Sequence, residues 1–365
     1  MIPISLHGLG FANPPDTITQ EEALGCARVL THRQHREASW LKAVYEKSGI
    51  ATRRQVHGRA FVGDVLNGTR HSDSAYLPTD SANGPTTAVR MGLYAQHAPA
   101  LAVQASAEAL LESRISPTTI THLITVSCTG FMAPGVDCEL LTALNLPGTT
   151  QRLHVGFMGC HAAINGLRAA LAIAQDPANT VLLCAVELST LHYYYGPETD
   201  KVVANALFAD GAAAVVLSGR PTPAAHPRLV ATGSGLIPDS AGEMAWRIGD
   251  HGFEMVLTQR IPTLIEQHLA GWLTPWLAAH NLNRDDVAHW AIHPGGPRIL
   301  RAAQNALGLS ERAMEPSLAT FREFGNMSSP TVLFILGRLR QARVTGPTVL
   351  LGFGPGLMAE AALLM

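Results

Sequence analysis

The chain carries one short pattern twice. Residues 123–130 (LITVSCTG) parallel 290–295 (WAIHPG), which sets Cys128 opposite His293 at an offset of 165 (293 − 128). Residues 159–163 (GCHAA) parallel 325–329 (GNMSS), setting Cys160 opposite Asn326 at 166 (326 − 160). Residues 181–184 (VLLC) parallel 349–352 (VLLG) at 168 (349 − 181). Three near-equal offsets in the same order describe a duplicated unit about half the chain long, not a short-period solenoid. The Pro-rich, aperiodic stretch 219–227 marks the boundary, dividing the chain into residues 1–219, with the Cys, and 220–365, with the His and Asn. Apolar runs at 123–126, 180–184, 212–217, 290–292 and 348–351 read as buried strands, and Ala/Leu-rich stretches at 105–112, 162–174 and 331–342 as helices. Their alternation predicts a layered α/β fold. With 47 % hydrophobic and 15 % charged residues, 365 residues suffice for a large core. Two halves related by a pseudo-twofold axis would bring Cys160 and Asn326 to one shared cavity.

These positions suit nucleophilic chemistry. Cys160 lies between a strand-like stretch and an Ala-rich helical pattern, so it falls at a helix N-terminus, where unpaired N–H groups and the helix dipole favour thiolate. The bland alternative is a buried structural cysteine. His293 ends a strand before Pro294-Gly295-Gly296-Pro297, and an imidazole there can take the thiol proton to form a thiolate–imidazolium pair at neutral pH. Asn326 is either a helix cap or an amide donor to an oxyanion; with His293 it would hold the enolate left when a malonyl thioester loses carbon dioxide. Phe208 reads as core packing unless it borders that cavity. The Gly-rich run 352–357, with Gly354 and Pro355, predicts close backbone approach beside the same cavity. The sequence has no phosphate loop and no metal-ligand spacing, so no metal and no bound cofactor is expected.

Other classes fall away. A net charge of −2 and a pI near 6.8 give no footprint for nucleic acid or an anionic membrane. Five scattered Cys without a Cys-x-x-Cys pair fit neither a disulfide framework nor a zinc site, and point to a reducing cytoplasm. Neither a signal peptide nor an apolar run of membrane-spanning length is legible.

Over nearly its whole length the chain resembles the type III polyketide synthases of bacterial type, the chalcone/stilbene synthase-like enzymes. The resemblance rests on residues 10–15 (GFANPP), 47–54 (KSGIATRR), the Cys160 segment, 206–211, 237–240, 292–297 (IHPGGP), 325–329 and 352–357 (GFGPGL). The His–Asn separation of 33 (326 − 293) fits this family better than the ketoacyl synthase III enzymes. The resemblance implies a thiolase fold, two βαβαβαββ halves in a five-layered αβαβα arrangement, and a homodimer. It implies an acyltransferase that condenses malonyl-CoA repeatedly onto an acyl-CoA starter by decarboxylation, without an acyl carrier protein, and cyclises the chain to a pyrone or resorcinol-type product. By resemblance Cys160 is the nucleophile, His293 the base and oxyanion donor, Asn326 the second donor, and Phe208 the aromatic between access tunnel and cavity. Lys47 matches a CoA-binding cation; Ala43 occupies a second such position, with Lys42 beside it. Cys128 replaces a Thr in a hydroxyl–carboxylate–water network whose other members are Glu187 and Ser328. His192, Trp246 and Met255 depart from the plant pattern in the cavity, and Ala133 stands where a Met reaches into the partner's cavity. A plant flavonoid product is therefore not expected. Trp246 predicts either a small or linear product or a tunnel rerouted past Ala133 and Met255. The rival readings are a single-condensation ketoacyl synthase III-like or HMG-CoA synthase-like enzyme, and a catalytically silent thiolase-fold scaffold.

Overall fold

The computed structural model describes residues 2–31, 36–79, 83–196, 198–220 and 227–365. The first part of the chain forms β1 (Ile4–Ala12), β2 (Thr17–Thr19), α1 (Gln20–Leu30), α2 (Arg36–Glu46), β3 (Thr52–Arg54), α3 (Gly58–Asn67) and α4 (Thr87–Ser113). It continues through β4 (His122–Ser127), α5 (Val136–Ala143), β5 (Gln151–Gly156), α6 (Ala162–Ile173), β6 (Thr180–Leu188), α7 (Thr199–Leu207) and β7 (Asp210–Ser218). The second part forms β8 (Arg228–Leu236), β9 (Met244–Gly249), β10 (Gly252–Leu257), α8 (Ile261–Ala278), β11 (His289–Ile292) and α9 (Pro297–Leu307). It closes with α10 (Glu311–Phe324), α11 (Thr331–Gln341), β12 (Thr348–Gly354) and β13 (Met358–Leu364). Each apolar run read as a strand lies in one, and each Ala/Leu-rich stretch falls on a helix, with boundaries within a residue for α6 and α11.

The strands build one nine-stranded sheet ordered β11-β12-β13-β8-β1-β7-β6-β4-β5. The run β1-β7-β6-β4 is mirrored by β8-β13-β12-β11. The pairing senses match too: β4/β6 and β11/β12 are parallel, while β6/β7, β12/β13, β1/β7 and β8/β13 are antiparallel. The duplication read from three offsets is thus a duplication of topology. The mirrored runs meet at β1 and β8 through only two registered pairs, Ile4↔Leu229 and Ser5↔Arg228.

Period-two alternation sorts side chains to two faces. On β6, Val181, Leu183 and Ala185 join α6 and α11 in a central core, whereas Leu182, Cys184 and Val186 face an outer core under α4. On β12, Leu350 faces the same centre, and Val349, Leu351 and Phe353 face an outer core with α8 and α9. Helix, first mirrored run, helix pair, second mirrored run and helix therefore stack in five layers. Buried side chains of α6 and α11 such as Leu167 and Leu333, each contributing about 1.5–3 kcal/mol by leaving water, fix those two helices at the centre.

Candidate active site

Cys160 is placed by the turn between β5 and α6. Gly159 has φ +82°, and a Cβ there would lie 2.4 Å from Cδ of Pro355, so only glycine fits. Cys160 follows, two residues before the first residue of α6, where the amides of the first turn have no intrahelical partner. The run 352–357 packs behind this turn: a Cβ on Gly354 would come within 2.3 Å of the His161 ring. The expected close approach is real, but its target is His161 and Gly159. Gly354 and Pro355 do not line the Cys160 cavity; Phe353 does.

Asn326 is placed by a parallel device. Gly325 ends α10 at φ +72° and ψ −162°, a region open essentially to glycine alone. Asn326 then forms a backbone bridge with Phe208: its N–H donates to the Leu207 carbonyl (2.9 Å), and its carbonyl accepts from Ala209 N–H (2.8 Å). Asn326 Oδ1 accepts from Ser328 N–H (2.8 Å), so the acceptor end of the amide is occupied. Phe208 is held from the other side by the buried Arg53, whose Nη1 donates to the Phe208 (2.9 Å) and Asn205 (2.8 Å) carbonyls and whose Nη2 donates to the Ala206 carbonyl (2.6 Å). A guanidinium on these carbonyls also complements the negative end of α7.

His293 extends β11 by one residue, its N–H donating to the Leu351 carbonyl (2.8 Å). Its ring is buried, and neither nitrogen has a hydrogen-bond partner among the described residues. Burial drives the His293 pKa down to about 3, with the neighbouring His161 pushing the same way. Burial likewise pushes the Cys160 thiol up to about 11, while the Ser328 hydroxyl and the Asn326 amide pull it down. Desolvation therefore works against the charged pair expected from the helix terminus, disfavouring thiolate and imidazolium alike.

Cys160, His293, Asn326, Phe208, Met255 and Phe353 line one cavity of about 20 Å³, room for about one water molecule. Leu257, Gly295 and Ile299 line both this cavity and an open cleft of about 320 Å³ that carries Lys47 and Arg298. Lys42 is not in that cleft; it pairs with Glu46 (3.5 Å) on an exposed face of α2, a helical spacing away from Lys47. Arg298 was missed although it directly follows the 292–297 motif.

Cys128 links the other two members of the expected network, through its N–H to Glu187 and its sulfur to Ser328. Glu187 accepts from Cys128 N–H (2.9 Å), Thr129 Oγ1 (2.6 Å) and Ser329 Oγ (2.6 Å), while Ser328 Oγ sits between two sulfurs, 3.4 Å from Cys128 and 3.5 Å from Cys160. Burial raises the Glu187 pKa and these donors oppose the rise. Trp246 Nε1 donates to the Cys128 carbonyl (2.7 Å), and its ring stands 6.4 Å from Phe208. His192 stacks on Phe253 at 4.1 Å, with Nε2 on the Thr129 carbonyl (2.7 Å) and Nδ1 accepting from Phe253 N–H (2.8 Å). Ala133 lines a separate surface cleft with Phe131 and Arg152, so the space beside Cys160 runs past Met255 and not past Ala133.

The family model for the N-terminal domain of chalcone and stilbene synthases matches residues 4–221, and that for their C-terminal domain matches residues 228–365. The chain belongs to the chalcone and stilbene synthase family. It is 36 % identical over 272 residues to a 1,3,6,8-tetrahydroxynaphthalene synthase of Streptomyces peucetius subsp. caesius, covering 73 % of this chain and 72 % of that one. It is 30 % identical over 368 residues to an alpha-pyrone synthesis polyketide synthase-like Pks18 of Mycobacterium tuberculosis, covering 98 % and 90 %. The crystal structure of PKS-I from the brown alga Ectocarpus siliculosus superposes with a TM-score of 0.91 at 32 % identity, covering 100 % of this chain and 98 % of that one. The chain is thus a type III polyketide synthase with the thiolase fold. It is an acyltransferase that condenses malonyl units decarboxylatively and cyclises the product. Among the described residues no cluster of His, Cys, Asp or Glu could hold a metal ion, and no helix is long and apolar enough to cross a membrane.

Proposed function

We propose that this polyketide synthase carries its growing chain on Cys160 and activates malonyl-CoA against it with His293 and Asn326. The observation that supports this reading is the single cavity lined by all three side chains and adjoining the cleft of Lys47 and Arg298. Cys160 sulfur attacks the starter thioester as its proton passes to His293. Two opposite charges form together there, so neither ion is buried alone. The C–S bond to CoA breaks and the CoA thiol leaves with that proton. Malonyl-CoA enters next; its carboxylate departs as carbon dioxide, and the electron pair becomes an enolate. Asn326 Nδ2–H and a His293 N–H donate to the enolate oxygen, and Phe208 and Met255 exclude water that would protonate its carbon. That carbon bonds to the Cys160 thioester carbon, the C–S bond breaks, and the chain leaves two carbons longer on CoA. Reloading on Cys160 repeats the cycle before closure to a pyrone or resorcinol-type ring.

Lys47 and Arg298, which both line the cleft, are the cations for the CoA phosphates in this reading. CoA thioesters serve directly, with no acyl carrier protein and no bound cofactor, in a cytoplasmic homodimer. The test is incubation with short, medium, long and aromatic acyl-CoAs plus malonyl-CoA, counting carbons by mass spectrometry. Products two or more extensions longer than the starter are expected; products with a single extension from every starter would overturn the iterative reading.

A further inference from the structure

His161 follows Cys160 directly and takes no part in the chemistry described above. Its ring is buried, and burial lowers its pKa, so at pH 7 it carries a single N–H. Asn165, one turn further along α6, fixes which nitrogen holds that proton. An amide oxygen only accepts, so His161 Nδ1–H donates to Asn165 Oδ1 (2.7 Å). The opposite edge of the ring lies in a notch on β12. The three atoms nearest to a Cβ built on Gly354 all belong to this ring, with Cδ2 at 2.3 Å and Nε2 at 2.5 Å, and a Cβ on Gly352 would meet the His161 Cβ at 3.1 Å. Neither glycine has a positive φ, so it is space for His161 that demands them and not backbone conformation. On the other side of Cys160, Gly159 abuts Pro355. The nucleophile is thus clasped from both flanks by residues 352–355. The same strand carries the base: the His293 N–H donates to the Leu351 carbonyl (2.8 Å), one residue before the notch. Cys160 and His293 are registered through β12, and His161 is the spacer between that strand and the first turn of α6.

We propose that His161 is a positioning residue: its ring, seated on Gly352 and Gly354 and held by Asn165, sets the distance over which Cys160 passes its proton to His293. The proposal rests on Cys160 being the acyl carrier. Distance matters here because the transfer creates two opposite charges in a dry site, and their mutual attraction falls with separation. A misplacement of about 1 Å at a reacting centre can cost about 10²-fold in rate. A ring that only filled space would alter how many sites fold, not how fast each folded site reacts.

The test is single-turnover loading from an acyl-CoA, followed by intact-protein mass with the adduct mapped to Cys160. The amplitude counts folded sites, and the rate constant reads their geometry. His161→Ala should lower the rate constant about 10²-fold, with the half-saturating acyl-CoA concentration within about twofold of wild type, because the cleft of Lys47 and Arg298 is untouched. His161→Phe keeps a ring in the notch and should stay within about tenfold of wild type. Gly354→Ala should also lose about 10²-fold. The double variant His161→Ala/Gly354→Ala should recover at least about tenfold over Gly354→Ala, because its new methyl group then has room. Where Gly354→Ala alone does not fold, the double variant should fold, and the contrast between Ala and Phe at position 161 carries the rate test. Losses that multiply in the double variant, or a His161→Ala enzyme with lower amplitude and an unchanged rate constant, overturn the proposal. Wild-type loading rates in every variant, with the adduct on Cys160, sink it while the carrier reading stands. No adduct on Cys160 in the wild type sinks both.

Discussion

Cys128 and His293 occupy equivalent ends of equivalent strands, each the residue after β4 or β11, yet they meet opposite fates. In the first half the position is tied down: Glu187 accepts the Cys128 amide, Trp246 donates to its carbonyl, and Ser328 touches its sulfur. In the second half the imidazole has both nitrogens unpartnered among the described residues. The next pair diverges in the same way. Gly159 and Gly325 both turn the chain at positive φ, but Cys160 then runs straight into α6, whereas Asn326 is caught in the bridge to Phe208 before α11 begins. Duplication supplies two symmetric approaches to one cavity; the local bonding decides which residue may react and which must hold still.

The sharpest way to break this contrast is to exchange the roles of the sulfurs. Cys160→Ala should cut condensation at least about 10³-fold while Cys128→Ala keeps it within about tenfold; similar losses, measured as product formation, would mean that the tied position also reacts. Next in size, His293→Ala and Asn326→Ala should each slow malonyl-CoA decarboxylation by about 10²–10³. Normal carbon dioxide release from Asn326→Ala would assign that amide to capping. A pH series sharpens the picture of the free imidazole. With Cys160 held up to about 11 and His293 down to about 3, the thiolate fraction should climb as pH rises. Iodoacetamide labelling of Cys160 should therefore rise about tenfold per pH unit from 7 to 10. A plateau between pH 6 and 8 would mean a standing thiolate–imidazolium pair. Smallest are the two hinges: Gly159→Ala and Gly325→Ala should each lower unfolding free energy by about 1–3 kcal/mol. Gly159→Ala should cost more, because its Cβ overlaps the Pro355 ring, and denaturant titration would rank them.

Much of this was legible from sequence because equal offsets survive folding. Cys160, His293 and Asn326 sit at element ends, where spacing along the chain translates directly into position in the sheet. Phe208 was harder, since a Phe before a buried strand looks like core until the bridge to Asn326 exists. What stayed hidden depends on which side a side chain takes. Lys42 and Lys47 are five residues apart (47 − 42) but face different surroundings. Glu187 chose Thr129 and Ser329 over the neighbouring Ser328. The thiolate was expected from the helix terminus, and the depth of burial that opposes it has no local signature. A second chamber of about 50 Å³, which Phe208 and Met255 also line, is gathered from Tyr45, Arg53, Ser189 and Tyr193, two distant parts of the chain with no motif in common.

The ribbon β9–β10 pairs only with itself, outside the large sheet, and carries Trp246 and Met255 opposite one another. Phe208, by contrast, shares its backbone bonds with the residue that would steady the enolate. Descendants of such a chain thus have one open route to new substrates and one closed one. Side chains on the ribbon can change without moving the backbone that holds Asn326, whereas a backbone shift at the aromatic would carry Asn326 with it.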